Sequence, residues 1–400
     1  MHRHHGLHLA EQKRNAHGPK KIKRRNLFLT LVEECNSVLG HANWPKRPVA
    51  TKGPRDPGEI MRMRCRPSTA GDFKNWLQHS TVRSRYGPLF GQLPGIWASL
   101  LSKEEAISSV IEDLDAPKND RLLCLGLTVF LSDEFARQAK ISPLFWIGPE
   151  LVRRIEKDES PILDSAAIRR GNSCDGLNLF VWEIDIRPVP ENEFLAIATD
   201  ISNQFFKQHA GFKIKDVMAQ HPFGPVLRAG FQVGGWLFHD GKRDYAPLPR
   251  AEEVEAAGLP FILGSNRELA RKFPGSWIST LFDYREPRIF FAPSEQTLLL
   301  CALEEHTDDH IGRELAISSS AVKKCWQSIY ARVSLRLPEL LPEDGHNGGG
   351  RGTEKKRRLL AYVRTHPEEL RPLLALSSKR GEGLRAQRRV KQRISVARNS

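Results

Sequence analysis

LNLFVWEIDIRPVPENEFLAIATDISNQFFKQHAGF, residues 177–212, is the stretch whose reading decides the fold. Its first part, LNLFVWEIDIRPV (177–189), is rich in apolar, β-branched and aromatic residues and runs into prolines, which is the pattern of a buried strand. Pro190 and the acids behind it then suit a helix start, and Phe194, Ile197, Ile201 and Phe205 recur at helical spacing until Gly211 stops the run. A strand feeding a long helix is the unit of a layered α/β fold. Outward from it, MRMRCRP (61–67), RLLCLGLTVFL (121–131), LFWIG (144–148) and GFQVGGWLF (230–238) read as further strands. STAGDFKNWLQHS (68–80) reads as a helix with Ser68 as its N-cap. Residues 61–244 are therefore expected to form one α/β or α+β domain. Residues 245–290 read as a Pro-rich connector with short helices, AEEVEAAG and NRELARKF.

Composition narrows the class. With 400 residues, 40% of them hydrophobic, the chain is long enough for two or three domains, which excludes a wholly disordered protein. The longest apolar run, LLCLGLTVFL (122–131), falls short of the roughly 18 residues a spanning helix needs, so no membrane partner is expected. The first residues lack a secretory apolar stretch, and the six cysteines form no CxxC pair or Cys/His cluster, so the expected setting is cytoplasmic with reduced thiols and no metal. Residues 1–25 and 344–400 carry +7 and +10 against a total of +14, which leaves the body at −3. Net charge thus describes two basic ends and assigns no function to the body. Residues 1–60 read as a basic, largely disordered extension in which the histidines at 2, 4, 5 and 8 lack fixed geometry. Met61 and Met63 open a segment that resembles a natural domain start.

Residues 291–333, FAPSEQTLLLCALEEHTDDHIGRELAISSSAVKKCWQSIYARV, have the physics of three short helices. The first starts at Ser294, the second is capped by Thr307, and the third follows Ser318 with Val322, Trp326, Ile329 and Val333 on one stripe. Ser319, Ser320, Lys323, Lys324 and Gln327 lie on the other face, with Arg332 further along, as residues entering a major groove would. The stretch resembles the helix-turn-helix domain of LuxR-type transcription regulators, with matches at Glu295, Leu298, Thr307, Ile311, Leu315, Ile317, Ser318, Val322, Lys323 and Ile329. It departs from that pattern at Ser294, at Glu305 where the family has its turn glycine, at Asp308, Asp309 and His310, and at Ala321 and Cys325. The resemblance, taken over residues 291–341, implies double-stranded DNA as partner, read by Thr307, Ser318, Ser319, Ser320, Lys323, Lys324, Gln327 and Arg332. A Gly-rich linker (342–353) and a basic helical or disordered tail (354–400) follow, in which Lys355, Lys356, Arg357 and Arg358 are candidate phosphate contacts.

A second resemblance lies in the larger domain. MRMRCRPSTAGDF, through Arg66, Thr69, Asp72 and Phe73, and the later string ending in Gly211 and Phe212, are similar to the opening and centre of GNAT-type acetyltransferases. That resemblance implies a Gly-rich turn between central strand and helix to hold the pyrophosphate of coenzyme A. The corresponding loop, Pro188–Glu193, has no glycine, two prolines and two carboxylates, so coenzyme A is not expected there and no cofactor is assigned. Glu183, His221, His239 and Asp240 are conceivable acid–base partners, but isolated titratable residues beside apolar strands are more often packing residues, and no catalytic residue is assigned. No Walker motif, HExxH or GxSxG occurs. The sequence thus leads to the expectation of a DNA-binding transcription regulator, dimeric, with an α/β sensor domain that answers an unidentified small-molecule effector. The alternative is an acyl-CoA-dependent N-acetyltransferase with an appended helical domain, and a third reading is a protein-interaction module.

Overall fold

The computed structural model describes residues 61–79, 82–141, 144–220, 236–239, 261–272, 274–341 and 351–374. The expected extension before residue 61, the helix AEEVEAAG and the residues His221 and Asp240 lie outside these.

Strand β1 (Met63–Pro67) leads to α1 (Ala70–His79), α2 (Arg83–Tyr86) and α3 (Leu93–Ser102), then to strands β2 (Ala106–Asp113) and β3 (Leu122–Leu131). Helices α4 (Asp133–Gln138), α5 (Ile147–Glu156) and α6 (Ser165–Ser173) precede β4 (Leu177–Ile186), α7 (Glu191–His209) and β5 (Ile214–Ala219). Strands β6 (Leu237–His239) and β7 (Ile262–Asn266) complete a seven-stranded sheet of order β1-β2-β3-β4-β5-β7-β6. Every pair is antiparallel except β4 with β5, which α7 joins as a β-α-β crossover. The fold is therefore mixed α/β. Its sheet runs beyond residue 244, because β7 and the helix α8 (Arg267–Lys272) lie where the composition suggests a connector.

The near-continuous burial of β4 explains its apolar sequence, since both of its faces are covered. Phe180 and Trp182 meet a core that includes Phe73, Trp76, Trp97 and Ile147, on the side of α1, α3 and α5. Leu177, Leu179 and Val181 pack with Phe212, Val217 and Leu263 on the other. Helix α7 lies across that second face, with Ile197 and Ile201 against Ile111 and Cys124. It ends at His209, and two residues on Gly211 has a φ of +84° that favours glycine and an absent side chain that leaves room for the backbone at Glu368.

Two local expectations change. LFWIG is not a strand: Ile147 opens α5, where Pro149 in the first turn needs no hydrogen-bond acceptor. Ser68 does not cap α1; its hydroxyl meets that of Ser108 at 2.7 Å, and Thr69 takes the capping place with its N–H and hydroxyl both donating to Asp72. Asp72 also binds Arg66, which reaches Glu112 on β2, so the Arg-Thr-Asp-Phe pattern of 66–73 ties β1 to the start of α1 while Phe73 is fully buried.

The C-terminal helical body comprises α9 (Pro293–Leu303), α10 (Asp308–Glu314), α11 (Ser319–Arg336) and α12 (Arg351–Thr365). Val322, Trp326, Ile329 and Val333 are buried as the helical spacing predicts, and Leu359 and Val363 of α12 close the same core. Residues 366–374 then strap this body to the α/β body. Arg371 donates to the carbonyls of Ala210 and Lys207 at the end of α7, Asn172 donates to Pro372 O, and Gln296 donates to the carbonyls of Glu369 and Arg371.

Candidate active site

Strands β4 and β5 run side by side only from Leu177 and Ile214 to Val181 and Ala219. Beyond that point β4 continues to Ile186 while β5 stops, so the only parallel pair among the described strands opens at its carboxyl ends. Open sheets place ligands outside the carboxyl ends of parallel strands, where the topology changes. At the opening β4 also carries an irregularity: Val181 faces Thr128 and Glu183 faces Leu127, which leaves Trp182 as an extra residue. A bulge of this kind re-aims side chains and frees a ladder position.

The bulge turns polar groups into the core beneath α2 and α5. Glu183 is almost wholly buried and pairs with Arg85 of α2, whose other amino group donates to Gln220 O at 3.5 Å. Gln220 is itself clamped, accepting from Ile147 N at 2.7 Å and donating to Phe145 O at 2.9 Å. Trp182 donates its indole N–H to Tyr86 at 2.8 Å, and only a glycine fits at 148, because a Cβ there would stand 2.3 Å from the Tyr86 hydroxyl. Desolvation raises the Glu183 pKa and nearby Asp185 adds to it, while Arg85 opposes both. Burial likewise raises the Tyr86 hydroxyl. The Nε of Arg85 is buried without a hydrogen-bond partner. The arrangement holds a proton acceptor of raised basicity beside the bulge at Trp182, in a setting of low dielectric.

The loop between β4 and α7 is less accommodating to phosphate. Pro188 and Pro190 bring no N–H, and α7 starts without a side-chain cap. Arg187 in the same loop donates to Asp120 O at 3.1 Å, yet its Nε and Nη2 are buried without partners, and burial lowers its pKa. A backbone cradle for a pyrophosphate does not fit here; a cationic side chain with spare donors does.

Of the residues the sequence offers, Glu183 is at the opening, whereas His239 is buried on β6 at the edge of the sheet. Arg85, Tyr86, Trp182 and Gln220 carry no sequence signal, since Arg85 and Glu183 lie 98 residues apart. In the helical body, Thr307 and Ser318 spend their hydroxyls on capping, accepting from His310 N and Ala321 N. Arg332 donates to the buried Glu295, and Lys356 donates to Asp308 while lying over Trp326. Arg357 and Arg358 pair with Glu354 of their own helix. Ser319, Ser320, Lys323, Lys324 and Gln327 are exposed on α11, and Lys355 is half-buried on α12.

No protein-family model matches the chain, and no curated protein matches it. Thirteen chains of solved structures do match. One is AtaT complexed with acetyl-methionyl-tRNAfMet, at 8% identity and a TM-score of 0.26, covering 49% of this chain and 99% of that one. Another is a bacterial toxin, at 8% identity and a TM-score of 0.25, covering 54% of this chain and 96% of that one. No comparison supports a LuxR-type regulator, and the expectation of a DNA-binding transcription regulator is withdrawn. The physical reason the sequence misleads is visible in the helical body: several of the pattern's matching positions are caps and core residues that any small three-helix unit needs. No described helix is long and apolar enough to cross a membrane.

Proposed function

We propose that the protein is an N-acyltransferase of the GNAT type that works at the opening between β4 and β5. The observation that carries this reading is the parting of the parallel pair beyond Val181 and Ala219, with the Trp182 bulge and the buried Glu183 at its apex. In acyl transfer an amine nitrogen attacks a thioester carbonyl, the tetrahedral intermediate needs a donor for its oxyanion, the amine must lose a proton, and collapse breaks the C–S bond so that the sulfur leaves as a thiolate and is protonated to the free thiol. In this reading the bulge at Trp182 would offer a backbone N–H to the oxyanion, and Glu183, whose pKa burial raises, would take the proton. The donor's phosphates would be met by Arg187 and not by a glycine cradle.

The test is calorimetry of the full chain with acetyl-CoA, together with an assay for release of free thiol in the presence of amine acceptors. Saturable binding at micromolar concentration and thiol release that Glu183→Gln lowers about 10²-fold or more would uphold the reading. Absence of both binding and thiol release would overturn it. Because burial raises the Glu183 pKa, the wild-type rate should climb with pH through a value above the ordinary carboxylate range, and Glu183→Gln should flatten that limb.

A further inference from the structure

We propose a metal site on the helical body, formed by His306, His310 and Glu314 with the thiol of Cys301, that takes a first-row transition metal ion of the zinc class. The three residues lie at successive intervals of four, so α10 and the turn before it bring them to one face. One nitrogen of each imidazole and one oxygen of the carboxylate all lie within 4.8 Å of one another. The His306 and His310 rings stack at 4.0 Å with an interplanar angle of 21°. His306 Nδ1 stands 2.7 Å from Glu314 Oε2, yet it is buried and makes no aligned hydrogen bond. From α9, Cys301 lies near the same carboxylate, whose charge acts on the thiol.

These features fit an ion better than a hydrogen-bonded cluster. Two imidazoles stacked face to face repel one another once both are protonated, and as neutral rings they offer lone pairs. Zinc sits about 2.0–2.3 Å from nitrogen, oxygen and sulfur ligands, so the ligand atoms of a tetrahedral ion lie roughly 3.2–3.7 Å apart. Small side-chain rotations bring the cluster to that spacing, because His310 and Glu314 are exposed. Two imidazoles, a carboxylate and a thiolate form a donor set that zinc and cobalt accept and that calcium and magnesium do not. The ion would join the end of α9 to α10 across the left-handed turn at Glu305, whose φ is +64°. The site is independent of the acyltransferase reading.

The experiment uses the full chain with His2, His4, His5 and His8 replaced by Asn, stripped with chelator and titrated with Co²⁺. The expected result is one ion per chain, the intense visible absorption of four-coordinate cobalt, a near-ultraviolet thiolate-to-cobalt band, displacement by Zn²⁺ and a rise in Tm. His310→Ala with Glu314→Gln, two exposed positions where folding is not at risk, should weaken binding at least 100-fold. Cys301→Ser should remove the near-ultraviolet band. Absence of saturable one-to-one binding, or binding unchanged in the His310→Ala, Glu314→Gln variant, would overturn the proposal.

Discussion

Two buried glutamates, each paired with an arginine, divide the molecule. In the helical body, Glu295 accepts from Ala292 N, Ser328 Oγ and Arg332 Nε at 2.6–2.7 Å, so both carboxylate oxygens are occupied. In the α/β body, Glu183 has Arg85 as its hydrogen-bonded partner, Asp185 close enough to oppose its charge, and a guanidinium whose Nε is itself unsatisfied. The first carboxylate is fully employed in holding α9 to α11. The second is held by one side of a pair in a place where the sheet opens, which suits a group that must exchange a proton. Burial alone does not separate scaffold from chemistry; the completeness of the hydrogen-bond shell does.

The comparison can be broken or sharpened by experiment. The largest effect is expected from acid. His209, at the end of α7, is buried, its ring bonded to Thr128 Oγ1 and Phe205 O, and desolvation lowers its pKa to about 3. A depressed base is neutral in the folded state, so its contribution is present above the unfolded value of about 6.5 and is lost as pH falls toward about 3. Up to about 5 kcal/mol is at stake, and His209→Gln should flatten the fall in stability measured by urea unfolding over that window. His209 belongs to the α/β body, so acid should open that body first. If the helical body's fluorescence transition came first, the contrast would fail.

Breaking the Arg85–Glu183 pair from one side comes next. Arg85→Met should cost about 3–5 kcal/mol because it strands a buried carboxylate, whereas Arg85→Met with Glu183→Leu should recover most of that loss. Equal destabilisation in the single and double variants would show that packing and not charge governs the opening. Glu295→Ala should cost about 2–3 kcal/mol by freeing three donors, without altering the pH dependence of thiol release. Smallest is Glu305→Gly. Glu305 holds a left-handed backbone where the resembling family has glycine, so the substitution should stabilise the chain by about 1 kcal/mol in thermal unfolding if strain relief outweighs the added freedom of the unfolded chain.

How much of this was legible follows from what each residue does. β3 and β4 announce themselves because they are apolar on both faces, β1 by Met63 and Cys65 alternating with arginines, and α7 because its buried stripe is long. β2 hides behind Ser108 and Ser109, and β5 is a six-residue run with Lys215 and Asp216 inside it. The helical body is readable down to its caps, since Thr307 and Ser318 act locally, but its resemblance describes a scaffold and assigns no function. The opening itself was not readable: Arg85, Gln220 and Glu183 meet only through the sheet order, and the one signal available, an acid inside a strand, has a common bland reading. The spacing of His306, His310 and Glu314 was visible in principle, while the approach of Cys301 from another helix was not.

The strap at 366–374 has a consequence for the timing of assembly. Arg371 closes the end of α7 across 161 residues of chain, and Asn172 meets Pro372 across 200. During synthesis all seven strands emerge before those partners exist, so the end of α7 waits with its last carbonyls unmet. Closure of such long loops is slow relative to local helix formation. A refolding experiment should therefore show the sheet core protected early and the amides at the end of α7 late, with the C-terminal strap setting the final rate.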